Sequence, residues 1–205
     1  MNEFDIKASG WDANPMHLER SEAIVGRILN EIPVTTDMVA LEYGAGTGLS
    51  SFLLKDNLRN ITLMDNSSEM IRIMQEKIEE TKAKNLKAIN FDLEHNDYGK
   101  ELFDLIFTQM VLHHVADIDT LFRRFGDLLK RGGFLSIADL YTEDGSFHGE
   151  GFTGHKGFNP EELADSLRPH QFFNISYKPC FTINRKISDT EIKKYDLFLL
   201  VARRQ

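Results

Sequence analysis

The chain has 205 residues, of which 41% are hydrophobic and 27% charged, the size and composition of one soluble globular domain. Its formal net charge of -8 repels phosphate backbones, which excludes nucleic acid as the primary partner. The single cysteine, Cys180, rules out an internal disulfide and a cysteine-based zinc site; in the apolar run YKPCFTI it reads as a small buried side chain.

The start, MNEFDIKASGWD, has no basic stretch leading into an apolar one, so no signal peptide is expected. No run is long enough to cross a bilayer, and a cytoplasmic protein without membrane insertion is expected. Asn14 and Pro15 suit an N-cap and first helical position, opening a helix to about Glu31. Met38 to Tyr43 reads as a buried strand, with a helix starting near Thr47. NITLMD is a second strand ending at Asp65, and Asn66 with Glu69 forms a capping box for the helix SSEMIRIMQEKIEETKAK. LKAINFD and LFDLIFTQM are the third and fourth strands. DIDTLFRRFGDLLKRGG is a helix closed by glycine, and FLSIADLY is the fifth strand. After a helix in NPEELADSLRPH, the strands FFNISYKPCFTI and YDLFLLVARR close the chain with no clear helix between them. Alternating strands and helices predict an α/β fold with a parallel sheet covered on both faces. The closing pair predicts an antiparallel hairpin, so one late strand runs backwards.

Ligands of open parallel sheets sit at the carboxyl ends of the strands. The stretch VALEYGAGTGLSS places Gly44, Gly46 and Gly48 there, with Glu42 two residues before the first glycine. Glycine lets the backbone turn sharply and approach a ligand closely. The spacing is G-x-G-x-G, not the G-x-G-x-x-G of a dinucleotide turn. A carboxylate at Glu42 opposes a pyrophosphate and favours an ammonium group. Asp65 suits two ribose hydroxyls, and Asp92 ends the third strand near a base edge. Three acids on one rim imply a ligand with an amine, a ribose and a base, and no phosphate.

The run from Glu42 to Gly48 followed by strand-end Asp65 resembles the class I S-adenosylmethionine-dependent methyltransferases. FDLIFTQMVLHHV resembles that family's fourth-strand motif, LLKRGGFLSIAD its run into the fifth strand, and the closing pair its reversed seventh strand. More narrowly, the chain is similar to small-molecule methyltransferases of the ubiquinone/menaquinone-biosynthesis type, with an added W-D-x-x-P start at Trp11, Asp12 and Pro15. The resemblance implies a Rossmann-like three-layer sandwich with a mostly parallel seven-stranded sheet and a reversed last strand. It implies one domain over 1–205, with an N-terminal cap segment over 1–33 and an acceptor-side loop over 141–158. The implied cofactor is S-adenosylmethionine, with S-adenosylhomocysteine as product. The methionine part would pass along Gly44, Ala45, Gly46 and Gly48, with Glu42 near its amino group. Asp65 would hold the ribose, Asn66 and Met70 the adenine face, and Asp92 and Leu93 the adenine edge. Gln109 and Met110 would line the sulfonium side.

A sulfonium methyl is already electrophilic, so positioning supplies much of the rate and a base is needed only where the acceptor keeps its proton. His114 (beside His113), His148 and His155 are the candidate bases. Adjacent His113 and His114 point about 100° apart on a helical turn, so both do not face the pocket equally. The loop YTEDGSFHGEGFTGHKGF offers Phe147, Phe152 and Phe158 to cover an apolar acceptor, and the resemblance implies that Trp11 with Phe4 completes the pocket from the N-terminal segment. His148 and His155 with Glu150 or Asp144 match no zinc spacing, and no metal is expected. The expected partner is a small-molecule acceptor, bound by a monomer or homodimer. The rival readings are a non-catalytic S-adenosylmethionine-binding subunit and a nicotinamide-dependent oxidoreductase; the glycine spacing, Glu42 and the lack of a Tyr-x-x-x-Lys pair weigh against the latter.

Overall fold

Short apolar runs separated by amphipathic stretches fold most readily as a sheet with helices on both faces. The computed structural model, which describes residues 3–99, 102–188 and 191–205, has this arrangement; the first two residues of the expected cap segment lie outside that range. The helices are α1 (Glu3–Lys7), α2 (Pro15–Glu31), α3 (Leu49–Leu54), α4 (Ser68–Thr81), α5 (Ile118–Leu128) and α6 (Pro160–Leu167). The strands are β1 (Val39–Tyr43), β2 (Asn60–Asp65), β3 (Leu86–Asn90), β4 (Phe103–Gln109), β5 (Leu129–Leu140), β6 (Phe172–Lys186) and β7 (Ile192–Arg204). Short 3-10 turns cover Ala8–Ala13, Leu112–His114 and Arg168–His170.

The sheet order is β3-β2-β1-β4-β5-β7-β6. β1 pairs in parallel with both β2 and β4, which makes its carboxyl end the point where the strand order reverses. β7 runs antiparallel to both β5 and β6, so the reversed last strand and the hairpin are as expected. In β4, Leu105 and Phe107 belong to one core cluster and Ile106 to the other. Successive side chains point to opposite faces of a strand, so this alternation gives three layers. α2, with Ile24 and Ile28, packs on the first face; α5, with Leu121, Phe122 and Phe125 on one helical stripe, packs on the second. Among the described residues, no helix is long and apolar enough to cross a membrane.

Two boundaries differ from expectation. Ser67, not Asn66, caps α4 by accepting the Met70 N–H at 3.2 Å. Both residue types cap well, but Asp65 captures the Ser67 N–H at 2.8 Å and turns the chain so that Asn66 stays exposed. α5 does not close on glycine either. The chain becomes extended at Leu129, which enters the sheet opposite Phe103. The glycines follow inside β5, where the register shifts by several residues before Phe134 meets Leu105.

Candidate active site

A cavity of about 1240 Å³ opens at the carboxyl ends of β1, β2 and β4. Gly44, Ala45 and Gly46 form its floor, Asp65, Asn66 and Met70 one wall, Asp92 and Leu93 the next, and Gln109 and Met110 the end of β4. Trp11, His114, His148, Phe147, Phe152 and His155 close the opposite side. Of the residues expected to hold the cofactor, Glu42 and Gly48 stand behind this wall. Glu42 is 1% exposed and turns toward α3, accepting the Ser51 N–H at 3.2 Å and the Ser51 hydroxyl. Gly48 is buried at the start of α3, where a side chain would meet Leu63 at 2.7 Å. It is a packing glycine, not a ligand cradle.

Gly46 is the position that needs glycine for the ligand's sake. Its φ is +56°, and a Cβ there would project into the cavity with only the Trp11 indole nitrogen within 4 Å. Its N–H donates to Asp65 Oδ2 at 2.8 Å, while Asp65 Oδ1 accepts from Ser67 N–H at 2.8 Å. One carboxylate therefore ties the glycine turn to the start of α4. Desolvation raises the Asp65 pKa, and the backbone donors from Ser67, Gly46 and Asn66 oppose that rise. Asp92 is braced in a similar way. Its Oδ1 accepts the Glu94 N–H at 2.9 Å, and Oδ2 lies 2.8 Å from His95 Nδ1. Met110 holds φ +56° at the end of β4, a costly conformation for a side chain of its size and one that clusters at functional sites. Gln109 is held by its Nε2 donating to Ser21 Oγ at 2.9 Å.

The N-terminal segment lies across this mouth. Asp12 pairs with Lys77 of α4 at 2.9 Å and accepts from the Thr47 hydroxyl; Asp5 accepts from the Ser67 hydroxyl at 2.6 Å. Trp11 packs against His17 with ring centroids 4.3 Å apart, and Phe4 meets His114 edge-on at 5.1 Å. On the far side, His148 stacks on Phe152 at 3.9 Å, and Phe147 is buried against Tyr195. Phe158 does not cover the cavity as expected. Its N–H donates to Leu140 O and its carbonyl accepts from Thr142 N–H, which pulls its ring into the second core cluster. Nor do His148 and His155 meet with Asp144, which pairs with Lys193 away from the cavity.

His155 lines the cavity, but its Nε2 sits 3.1 Å from Val115 O and its backbone N–H donates to His113 O at 2.8 Å. His155→Ala is therefore expected to cost about 1 kcal/mol of stability, the worth of one hydrogen bond, while cofactor affinity holds. Chemical denaturation checks this, and wild-type stability would mean that the Val115 contact carries no energy.

Sequence reasoning missed Arg20 and Tyr43, and it named His113 only beside His114. Arg20 is 5% exposed and lines the cavity, and its Nε has no hydrogen-bond partner among the described residues. Desolvation lowers its pKa to about 10, partly offset by the field of Asp139. Tyr43 faces the carboxylates of Glu94, Asp92 and Asp65; burial first, then these charges, pushes its hydroxyl pKa up. His113 is 1% exposed, with Nδ1 2.7 Å from the buried Asp139.

Residues 41–137, from inside β1 to inside β5, match the family model described as "Methyltransferase domain". Over those residues the chain is similar to the class I S-adenosylmethionine-dependent methyltransferases. It is 29% identical over 147 residues to an uncharacterised methyltransferase of Schizosaccharomyces pombe, covering 64% of this chain and 52% of that protein. It is 30% identical over 147 residues to the malonyl-[acyl-carrier protein] O-methyltransferase of Herminiimonas arsenicoxydans, covering 71% and 52%. The chain thus spans about half the length of both relatives. The solved YcgJ protein of Bacillus subtilis shares the methyltransferase fold, with a TM-score of 0.73 and 14% identity over 90% of this chain and 99% of that one.

Proposed function

We propose that this methyltransferase moves a methyl group from S-adenosylmethionine to a small-molecule acceptor, with S-adenosylhomocysteine as the other product. The reading rests on one juxtaposition. A single cavity joins the glycine turn and the acids Asp65 and Asp92 to a wall of imidazole and phenyl rings. The cofactor fits the groups present. Gly46 leaves room where a side chain would intrude, and buried Arg20 has a donor without an acceptor, which suits the carboxylate of the methionine part. Asp65 takes the ribose hydroxyls; Asn66, Met70, Asp92 and Leu93 surround the adenine; Gln109 and Met110 border the sulfonium. Glu42 acts from behind the turn by anchoring α3 through Ser51.

The bound cofactor supplies an electrophilic methyl group. The protein holds the acceptor in line with it and keeps water away, through Trp11 and Phe4 on one side and Phe147 and Phe152 on the other. His114, His148 and His155 offer the proton acceptors for an acceptor that keeps its proton. The segment over 1–33 is the cap and the loop over 141–158 carries acceptor specificity, within one domain acting as a monomer or homodimer in the cytoplasm.

Incubation with tritiated-methyl S-adenosylmethionine and a panel of metabolites is expected to label a small molecule. Tight cofactor binding with no labelled product would favour a non-catalytic binding subunit. NAD retained through purification would favour an oxidoreductase.

A further inference from the structure

We propose that His113, His114 and His148 form a three-imidazole site for a zinc-like divalent cation at the acceptor end of the cavity; this rests on the methyltransferase reading only for its role in catalysis. One ligand nitrogen from each ring lies within 4.8 Å of the other two. Zinc–imidazole bonds are about 2.0–2.1 Å, so an ion at the centre needs each ring to move by less than about 1 Å. The ring centroids are 4.3 Å apart for His113 and His114 and 5.0 Å for each of these with His148.

His113 carries the arrangement typical of a metal ligand. Its Nδ1 faces Asp139 Oδ1 at 2.7 Å, and Asp139 is fully buried. A buried carboxylate on Nδ1 fixes that nitrogen as the protonated one and leaves the Nε2 lone pair for an ion. The same carboxylate oxygen accepts the Leu140 N–H at 2.7 Å, so the acid cannot swing away. His148 is also held in place. Its ring stacks on Phe152, and its loop is braced by Glu143 Oε2, which accepts the N–H groups of Gly145 and Phe147 at 2.8 and 3.0 Å. His113 is buried, His114 and His148 are half-buried, and all three line the cavity.

Three protein ligands leave a fourth tetrahedral position open, as in catalytic rather than structural zinc sites. That position faces the cavity. It selects acceptors whose nucleophilic atom can itself ligate the ion, a thiol or a hydroxyl. Ligation lowers the pKa of that group, whose proton leaves to solvent. Its lone pair then forms the bond to the methyl carbon as the carbon–sulfur bond breaks and the electron pair stays on the cofactor sulfur.

The test uses the untagged full chain, stripped with chelator and titrated with zinc chloride by calorimetry, with cobalt(II) absorption as a second readout. The expected result is one ion per chain. His114→Ala and His148→Ala should each abolish the cobalt spectrum, while His155→Ala keeps it. Asp139→Asn should weaken zinc binding about 10–100-fold, a loss that a mere aromatic box would not produce. Wild-type protein that is folded and binds S-adenosylmethionine but takes up no zinc, or zinc uptake unchanged in both His114→Ala and His148→Ala, would overturn the site. Zinc uptake without any S-adenosylmethionine binding would support the site and sink the methyltransferase reading instead.

Discussion

Replacing Glu42 with glutamine is expected to raise the stability of the ligand-free protein at pH 8 and to leave it little changed at pH 5. The Glu42 carboxyl sits in the central strand with 1% exposure, and its Oε1 is buried with no hydrogen-bond partner among the described residues. Desolvation raises its pKa from 4.5 to about 8. The Ser51 hydroxyl and N–H and, more weakly, Lys77 pull it down, while Asp65 adds to the rise. A carboxyl with a higher pKa folded than unfolded binds its proton more tightly in the folded state. Its stabilising contribution is present below about pH 4.5 and is lost as pH rises to about 8. At about 1.4 kcal/mol per pKa unit, the loss amounts to a few kcal/mol. Glutamine keeps an oxygen for the Ser51 donors and cannot ionise, so it removes this dependence. Denaturant titrations of both proteins across this range check the difference; parallel profiles would mean that Glu42 ionises normally. The same proton changes the electrostatics inferred from the sequence. Near neutral pH the glycine turn has a neutral acid behind it, and the negative charge on the rim belongs to Asp65 and Asp92.

The elements that hold the glycine turn were legible because local chemistry decides them. An apolar run ends at Tyr43, glycines follow, and NITLMD forms the next buried strand. Asn14 and Pro15 likewise open α2 as read, with Asn14 Oδ1 accepting the Met16 N–H at 3.1 Å. Where two local choices were equally good, a neighbouring side chain decided, as when Asp65 drew the cap of α4 from Asn66 to Ser67. The acceptor end was illegible for a different reason. His113 meets Asp139 because β4 and β5 are neighbours, with Gln109 opposite Ala138, and His148 joins them only when its loop folds back. No spacing along the chain encodes that meeting. Arg20 did leave a trace. Arg20, Ile24 and Ile28 recur at helical spacing on the buried stripe of α2, and a cation on such a stripe asks for an anion.

Asp65→Ala is expected to weaken S-adenosylhomocysteine binding about 10–100-fold in a protein that still folds. Each Asp65 oxygen already accepts one backbone N–H, from Gly46 and from Ser67, both at 2.8 Å. A carboxylate has about four acceptor sites, so the two strong backbone contacts leave acceptor capacity for a ribose hydroxyl. Hydrogen bonds to a charged group are worth about 1.5–3 kcal/mol each when made away from bulk water, and each 1.4 kcal/mol is tenfold in affinity. Losing the brace on Gly46 adds an entropic cost, because the turn must then be ordered by the ligand. Asp65→Asn is no gentler. Both protein partners are N–H donors, so an amide turns its own NH₂ toward one of them and offers a single oxygen where two are needed. The two variants should therefore bind almost equally poorly, unlike an ordinary charge-removal series in which asparagine rescues. Calorimetry on variants whose thermal unfolding remains cooperative separates the cases. Wild-type affinity in Asp65→Ala would remove the ribose from this carboxylate, and rescue by asparagine would show that one oxygen alone carries the contact.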